Sequence, residues 1–139
     1  MMVLDTNVLS ELLRPTPERS VASWVDRHAR SELFTTSINQ AEIVYGLELL
    51  PAGRRRSRIE QAIADIFAID FAGRILPFDS AAAIEFGALA AERRRGGRPI
   101  GIADAQIAAI ARVWNAPVIT RDVADFTGVG ATVINPWSD

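Results

Sequence analysis

The sequence predicts an α/β fold in three layers, with a mostly parallel central sheet and helices on both faces. Short runs of apolar and β-branched residues alternate with longer segments in which apolar residues recur at helical spacing. The chain has 139 residues, 49% of them hydrophobic and 23% charged, which suits one domain with a real core. Because no repeat, linker or low-complexity segment divides it, we expect residues 1–139 to form a single domain.

The N-terminal segment predicts a strand, a turn and a short helix. Val3 and Leu4 form an apolar strand, and the run Asp5-Thr6-Asn7 after them consists of residues that cap helices and form turns. Apolar residues then follow helical spacing over 8–13, and Pro15 ends the helix.

The next segment predicts a helix, a strand and a second helix. Trp24 lies in the first helix, and Leu33-Phe34-Thr35-Thr36 has the composition of a buried strand. Ser37 or Asn39 can cap the following helix, which must end at Pro51. Its predicted inner stripe consists of Ile38, Ala41, Tyr45 and Leu49.

The middle of the chain predicts an amphipathic helix, a short strand over 74–78 and a long helix. Asp79 or Ser80 caps the long helix, and Gly96-Gly97 ends it. The inner face of the first helix carries Ile59, Ala62, Ile63, Ile66 and Phe67, and that of the long helix carries Ile84, Gly87, Ala88 and Ala91.

The C-terminal part predicts one more helix and two strands. Ile107, Ile110, Ala111 and Trp114 mark the helix, and the strands cover 117–120 and 131–134. In a sheet of this kind, ligands bind beyond the carboxyl ends of the strands.

The composition excludes several kinds of chemistry. Cysteine is absent, which rules out disulfides, thiolate zinc sites, iron–sulfur clusters and cysteine nucleophiles. Lysine is absent too, and P-loops and Schiff bases require it. The single histidine, His28, has no second histidine with which to form a metal site, so we expect it to be an ordinary surface residue.

The charge balance also limits the possible partners. A net charge of −2 and a pI near 5.4 argue against holding nucleic acid through bulk positive charge. No apolar run approaches the roughly 18 residues of a membrane span, and the N-terminus lacks a signal-peptide pattern. We therefore expect a cytoplasmic protein that does not contact a membrane.

Two acids follow strands of the predicted sheet. Asp5 comes directly after Leu4, and Asp122 comes two residues after the strand that ends at Thr120, so both belong at the carboxyl edge. Helix capping is the alternative for Asp5, and an Asx turn is the alternative for Asp122.

Two further acids interrupt apolar helix surfaces. Glu42 has Ile38 four residues before it and Tyr45 three after it, which predicts a partly desolvated carboxylate. Asp104 has Ile107 three residues after it on a largely apolar surface, although an acid in the first turn of a helix can simply stabilise the helix dipole.

Carboxylates gathered at one point repel each other, and a bound hard divalent cation relieves that repulsion. Ligation by oxygen alone selects Mg²⁺, Mn²⁺ or Ca²⁺ over zinc or copper. Water bound to such an ion can act as a nucleophile.

Four segments resemble the signature blocks of the PIN-domain family, in order and in spacing: VLDTNVLSELL, TSINQAEIVYGLELL, IADAQIAAIA and VITRDVADF. The resemblance is strongest to the VapC and FitB-like toxins of bacterial toxin–antitoxin pairs and covers nearly the whole chain, including the closing VINPW.

The resemblance implies a ribonuclease with Mg²⁺ or Mn²⁺ as cofactor. It places the four family acids on Asp5, Glu42, Asp104 and Asp122, and it implies products with 5′-phosphate and 3′-hydroxyl ends. Auxiliary polar positions, able to hydrogen-bond the carboxylates or the phosphate, fall on Thr6, Asn7, Thr120 and Asp125.

The resemblance also implies partners: an RNA substrate, a cognate antitoxin that inserts an arginine among the acids, and a toxin–antitoxin assembly that binds operator DNA through the antitoxin. Apolar residues on the early helices exceed what a small core needs, which suggests a homodimer and an antitoxin groove. They are Leu9, Leu12, Leu13, Trp24, Ile43 and Leu47.

Two arginine runs could guide phosphates toward the acidic centre. The alternative is that they are solvated helix ends, the second run complementing a helix C-terminus. The runs consist of Arg54, Arg55, Arg56 and Arg58, and of Arg93, Arg94, Arg95 and Arg98.

Two other functions fit the same acids. A receiver-like or haloacid-dehalogenase-like phosphoryl-transfer domain also places acids at strand ends, but it needs a lysine or an arginine in its place. A purely binding role, in which the acids serve only to hold an antitoxin arginine, needs no catalysis. RNA cleavage by the isolated protein distinguishes these functions from a nuclease.

Overall fold

A computed structural model describes residues 1–138 and confirms the α/β class, with a five-stranded parallel sheet between two helical layers. The strands are β1 (Met2–Leu4), β2 (Leu33–Thr36), β3 (Ile75–Leu76), β4 (Val118–Ile119) and β5 (Val133–Ile134). The helices are α1 (Thr6–Leu12), α2 (Arg19–Asp26), α3 (Ser37–Glu48), α4 (Arg54–Asp65), α5 (Ser80–Arg95), α6 (Ile102–Val113) and α7 (Val123–Phe126). A 3₁₀ turn (Arg30–Glu32) precedes β2, and a π-helical turn (Ile66–Asp70) extends α4.

The sheet separates two buried clusters, because neighbouring side chains of a strand point to opposite faces. Val3 of β1 packs into the cluster that contains Leu89 of α5 and Ile110 of α6. Leu4, the next residue, packs into the cluster that contains Leu9 of α1 and Ile63 of α4. Since β1 is buried on both faces, its sequence is continuously apolar.

The strand order β3-β2-β1-β4-β5 fixes where a site can form. The chain moves outward from β1 through β2 to β3, and it later returns to place β4 on the other side of β1. This reversal is a topological switch point, which opens a crevice at the carboxyl ends of β1 and β4. Asp5 follows β1 there, and its backbone N–H donates to the carbonyl of Ile119 at 2.9 Å.

The predicted inner stripe of α3 is wrong except at Ile38, which packs against the core. Tyr45 and Leu49 are 68% and 67% exposed, and the helix instead buries Ile43, Leu47 and the polar Asn39. The prediction failed because a polar residue faces inward, where its hydrogen bonds compensate its burial. The helix is capped by Thr36, whose hydroxyl accepts from the backbone N–H of Asn39, and not by Ser37 or Asn39.

The predicted inner face of α5 is wrong as well. Ile84 is 73% exposed, whereas Ala82 and Leu89 are buried. The predicted N-cap is confirmed, because the Asp79 carboxylate accepts from the backbone N–H of Ala82 at 3.0 Å.

The apolar surplus predicted on the early helices is largely core. Leu9, Trp24, Ile43 and Leu47 are buried within the single chain, and Leu12 and Leu13 are half-buried against the same cluster. The exposed apolar face of α3 carries Val44, Tyr45 and Leu49 instead. Across residues 1–138, none of the helices has the length and apolar character of a membrane span.

Candidate active site

The Asp5 carboxylate lies buried at the crevice floor, with only 4% of the residue exposed. One oxygen accepts from Asn39 Nδ2 at 3.0 Å, and the other accepts from Thr120 Oγ1 at 2.7 Å. Burial raises the pKa of Asp5, and the negative charge of Glu42 raises it further, while these hydrogen bonds offset part of the shift. Its side chain forms no cap hydrogen bond with α1, so capping does not account for this acid.

Asn39 is a site residue that the sequence prediction did not include. Its side chain is completely buried, accepts from Thr36 Oγ1 at 2.6 Å, and donates to Asp5 and to Thr6 Oγ1, at 3.0 Å in each case. The sequence places Asn39 at a helix start, where an asparagine normally reads as a cap. Its actual partner Asp5 is distant in sequence, so no local signal revealed the contact.

Glu42 lies beside this network, but it is exposed and not desolvated as predicted. Its Oε1 accepts from Thr6 Oγ1 at 2.7 Å. Because Thr6 also accepts from Asn39, the threonine hydroxyl connects the buried Asp5 group to the exposed Glu42 carboxylate.

Asn7 connects Asp5 with the acid that follows β4. Its amide nitrogen donates to Asp122 Oδ2 and to Thr120 Oγ1, at 3.1 Å in each case, and it lies 3.4 Å from Asp5 Oδ2. Thr120 Oγ1 in turn accepts from the backbone N–H of Asp122 at 3.0 Å. Asp122 occupies the N-cap position of α7 without a side-chain cap bond, which leaves its carboxylate available to the crevice.

Asp104 reaches the crevice from the first turn of α6, where it is half-buried. Its pKa is raised to about 6, first by burial and then by the negative charges of Asp5, Asp125, Glu42 and Asp122. The alternative for this acid was a simple interaction with the helix dipole, which favours the charged form; burial and the neighbouring acids instead favour the protonated form.

The four predicted acids therefore meet in one cleft of about 580 Å³, although the sequence separates them widely. Thr6 and Asn7 line it too, whereas Thr120 is buried behind Asp5, and Asp125 acts on Asp104 through its charge. The other residues that line the cleft are Ser10, Glu11, Arg14, Arg121 and Trp137, and none of these was predicted to do so.

The donor set fits a hard divalent cation, because it consists of carboxylate, amide and hydroxyl oxygens at a point of mutual repulsion. No three Asp, Glu or His side chains of residues 1–138 stand close enough to hold a metal ion as they are placed. For three of these acids to bind one ion directly, at least one of the exposed or half-buried acids would have to turn toward Asp5.

Neither predicted arginine run lines the acidic cleft. Arg56 donates to the backbone carbonyl of Leu50 at 2.8 Å, and Arg93 donates to the carbonyl of Thr127 at 3.0 Å, so both have structural partners. Arg55 and Arg58 border a neighbouring groove. The exposed members of the runs include Arg54, Arg94, Arg95 and Arg98, and their role in RNA binding stays a prediction.

The parallel sheet with acids gathered at its switch point is the arrangement of an α/β protein with a cation or phosphate site. Comparison with protein families is more specific: residues 2–130 match the model of the PIN domain. The chain belongs to the PIN-domain family. It is 40% identical to VapC ribonuclease Y4jK of Sinorhizobium fredii, over 99% of this chain and 98% of that protein. It is 38% identical to toxin FitB of Neisseria gonorrhoeae, with both chains covered completely.

A solved structure agrees with these relatives. The structure of FitAB bound to the IR36 DNA fragment contains a chain that superposes with a TM-score of 0.92 at 36% identity, covering 99% of this chain and 96% of that one. The family membership excludes the receiver-like and haloacid-dehalogenase-like alternatives.

Proposed function

We propose that this protein is a metal-dependent endoribonuclease of the cytoplasm, and the toxin of a bacterial toxin–antitoxin pair. The observation that supports this most directly is the convergence of Asp5, Glu42, Asp104 and Asp122 on one cleft, with pKa values raised at Asp5 and Asp104. Acids with perturbed pKa values in a cleft are characteristic of a catalytic centre. The relative in S. fredii, a VapC ribonuclease, supports the same reaction.

In this proposal Asp5, Asp104 and Asp122 hold Mg²⁺ or Mn²⁺, with Glu42 contributing directly or through water. The bound ion would supply an activated water for attack on an RNA phosphodiester and would neutralise charge on the phosphoryl oxygens. Asn39 and Thr120 keep Asp5 in one orientation through their hydrogen bonds. Asn7 sets the distance between Asp5 and Asp122, and Thr6 orients Glu42.

The test is cleavage of end-labelled RNA by the purified protein, free of any antitoxin, with Mg²⁺ or Mn²⁺ present. We expect internal cuts that leave 5′-phosphate and 3′-hydroxyl ends, which arise when water attacks the phosphorus and the 3′ oxygen leaves. Products with 2′,3′-cyclic phosphate ends would contradict the proposal, because they arise from attack by the ribose hydroxyl. A complete lack of cleavage would favour the purely binding role.

Replacement of Asn39 by alanine should separate positioning from catalysis. Asp5 Oδ1 would lose its amide donor, which further raises the pKa of Asp5 and frees the carboxylate to rotate. We expect cleavage to fall about 10- to 100-fold, the usual effect of losing a residue that orients a metal ligand. We also expect the free energy of unfolding to fall by about 1–3 kcal/mol, because buried groups lose their partners.

Steady-state cleavage and urea unfolding measure the two effects. Gln61→Ala is a suitable control, because Gln61 is an exposed amide on α4 and lies outside the cleft. A variant with unchanged cleavage would show that Asn39 is not needed to position Asp5.

A groove beside the acidic cleft suits the antitoxin. It has a volume of about 650 Å³ and shares Thr6, Ser10, Arg14 and Glu42 with the acidic cleft. An amphipathic antitoxin segment could bury its apolar face there and place a cation among the acids. The apolar residues that line the groove include Leu13, Ile43, Leu47, Leu50, Ile59 and Ile63.

We further propose that the protein forms a homodimer and, with its antitoxin, an assembly that binds operator DNA. The DNA-bound FitAB structure supports the assembly. The exposed apolar face of α3, with Tyr45 and Leu49, is available for contacts between subunits.

A further inference from the structure

The two arginines that line the acidic cleft differ in their partners. Arg14, which follows α1, forms an ion pair with Glu11 of α1. Its Nη1 atom lies 2.9 and 3.3 Å from the two carboxylate oxygens of Glu11. Arg121 forms no ion pair with any residue from 1 to 138. Its guanidinium carbon instead lies 5.0 Å from the centroid of the Trp137 ring. Arg121 is therefore a cation in an acidic cleft whose charge no described carboxylate neutralises.

The backbone on both sides of this contact is fixed. The N–H of Arg121 donates to Asn7 Oδ1 at 3.2 Å, and Asn7 is the residue that joins Asp5 to Asp122. The N–H of Trp137 donates to Asn135 Oδ1 at 2.9 Å. The arginine is thus tied directly to the network that positions the acids.

The Trp137 side chain contacts both the apolar core and Arg121. Its ring is half-buried against the apolar cluster that contains Leu4 and Ile119, yet its indole N–H is buried and has no hydrogen-bond partner within residues 1–138. A buried donor without a partner costs stability, so phenylalanine, which has no N–H group, would be the more stable choice for packing alone. The ring does provide a surface for the guanidinium of Arg121.

We propose that Arg121, held against Trp137, binds an RNA phosphate next to the phosphodiester that is cut; this inference rests on the proposed nuclease function. RNA is a polyanion and must enter a cleft lined by carboxylates, so a cation at the wall that is not paired with an acid of residues 1–138 can attract its phosphates. A guanidinium stacked on an aromatic face keeps its N–H edge free for a bidentate contact with phosphate oxygens. Arg121 is thus a substrate-binding residue and Trp137 a positioning residue.

The test measures binding of a short fluorescein-labelled single-stranded RNA by fluorescence anisotropy in Mg²⁺, with Asp5→Asn as the background that does not cut. We expect Arg121→Gln to raise the Kd by about 10-fold or more, the effect of losing a hydrogen-bonded charge. The slope of log K against log salt should decrease by about 0.7, the value for one phosphate contact on a single strand. Arg121→Lys should keep the slope but raise the Kd severalfold, because it keeps the charge without the planar guanidinium.

Arg27→Gln is the matched control, because it removes an exposed arginine outside the cleft and should change neither the Kd nor the slope. Trp137→Phe keeps an aromatic surface and should bind RNA within about twofold of the parent, whereas Trp137→Leu should behave like Arg121→Gln in Kd. Thermal unfolding of each variant separates this effect from a loss of folding. An unchanged salt slope for Arg121→Gln would overturn the inference, even if Trp137→Leu shifts the Kd.

Cleavage assays with Asp5 intact separate the two proposals. In them, Arg121→Gln should raise KM by a similar factor and change kcat by less than about threefold, since a uniform binding contact is lost. If the parent protein cuts RNA while Arg121→Gln keeps the parent KM and Kd, the inference about Arg121 is wrong and the nuclease function stands. If the parent protein does not cut, the nuclease function is wrong, and the anisotropy series alone decides whether Arg121 binds a phosphate.

Discussion

Replacing Asp5 by asparagine is expected to lower RNA cleavage by about a thousandfold or more, as the loss of a residue that acts as part of a catalytic unit usually does. Asp5 is the most buried of the four acids and accepts hydrogen bonds from Asn39 and Thr120, so its position is the most strictly fixed. Asparagine keeps the shape of the side chain but removes one anionic ligand from a site that needs oxygen ligands and negative charge for Mg²⁺.

The same substitution should leave the protein folded. It removes a charge whose burial already raises the pKa of Asp5, but it places an NH₂ group where one carboxylate oxygen accepts a hydrogen bond from Asn39 or Thr120. These effects oppose each other, and we expect the free energy of unfolding to change by about 1 kcal/mol or less. Initial cleavage rates and urea unfolding test this, with Asp26→Asn as an acid-to-amide control on the exposed end of α2. Cleavage by pure Asp5→Asn protein at the parent rate would remove Asp5 from the mechanism.

The acids at strand ends were the most predictable part of the site. A parallel sheet brings the carboxyl ends of its strands to one edge, so Asp5 and Asp122 could be placed together once their strands were identified. Asp104 was also found from its sequence, since an acid on an otherwise apolar helix surface needs an explanation. The parallel sheet followed from the alternation of short strands with helices.

The orientation of α3 could not be predicted from its apolar spacing. Tyr45 and Leu49 follow helical spacing as well as Ile43 and Leu47 do, and only the tertiary structure selects which set is buried. Asn39 settles the choice, because its side chain must face inward to reach Asp5. Glu42 consequently lies on the open side of the cleft, where Thr6 holds it and solvent reaches it.

Arg121 shows why a cationic site is hard to find from sequence. Runs such as 93–95 have a high local density of positive charge. That density does not show which residues line the cleft in the folded chain. Arg121 stands alone between Thr120 and Asp122, and its contact with Trp137 joins two segments that meet only in the folded chain. The position after β4 was the available signal, because residues there lie at the edge that carries the acids.

The raised pKa of Asp104 also makes a prediction about the protein without metal. Because the folded pKa of about 6 lies above the ordinary value of 3.8, the folded state binds the proton more tightly than the unfolded state does. Stability therefore falls as the pH rises from about 4 to about 6, and the charged form carries the cost at neutral pH. Asp104 is half-exposed, so solvent reduces this cost to about 1 kcal/mol or less.

Metal binding must displace that proton, so affinity for Mn²⁺ is expected to be highest above pH 6 and to fall about tenfold for each pH unit below it. Asp104→Asn should bind Mn²⁺ far more weakly at neutral pH and lose the part of this pH dependence that comes from Asp104. Calorimetric titration measures this affinity.

The two proteins should also differ in stability without metal. In EDTA, where cleavage by the parent protein should stop, the variant should unfold at a slightly higher temperature than the parent at neutral pH. That difference should vanish in acid, where the parent carboxyl is protonated, and thermal unfolding measures it.

Equal affinity of the two proteins for Mn²⁺ across this pH range would mean that Asp104 is no ligand, since a coordinating carboxylate must be ionised to bind the cation.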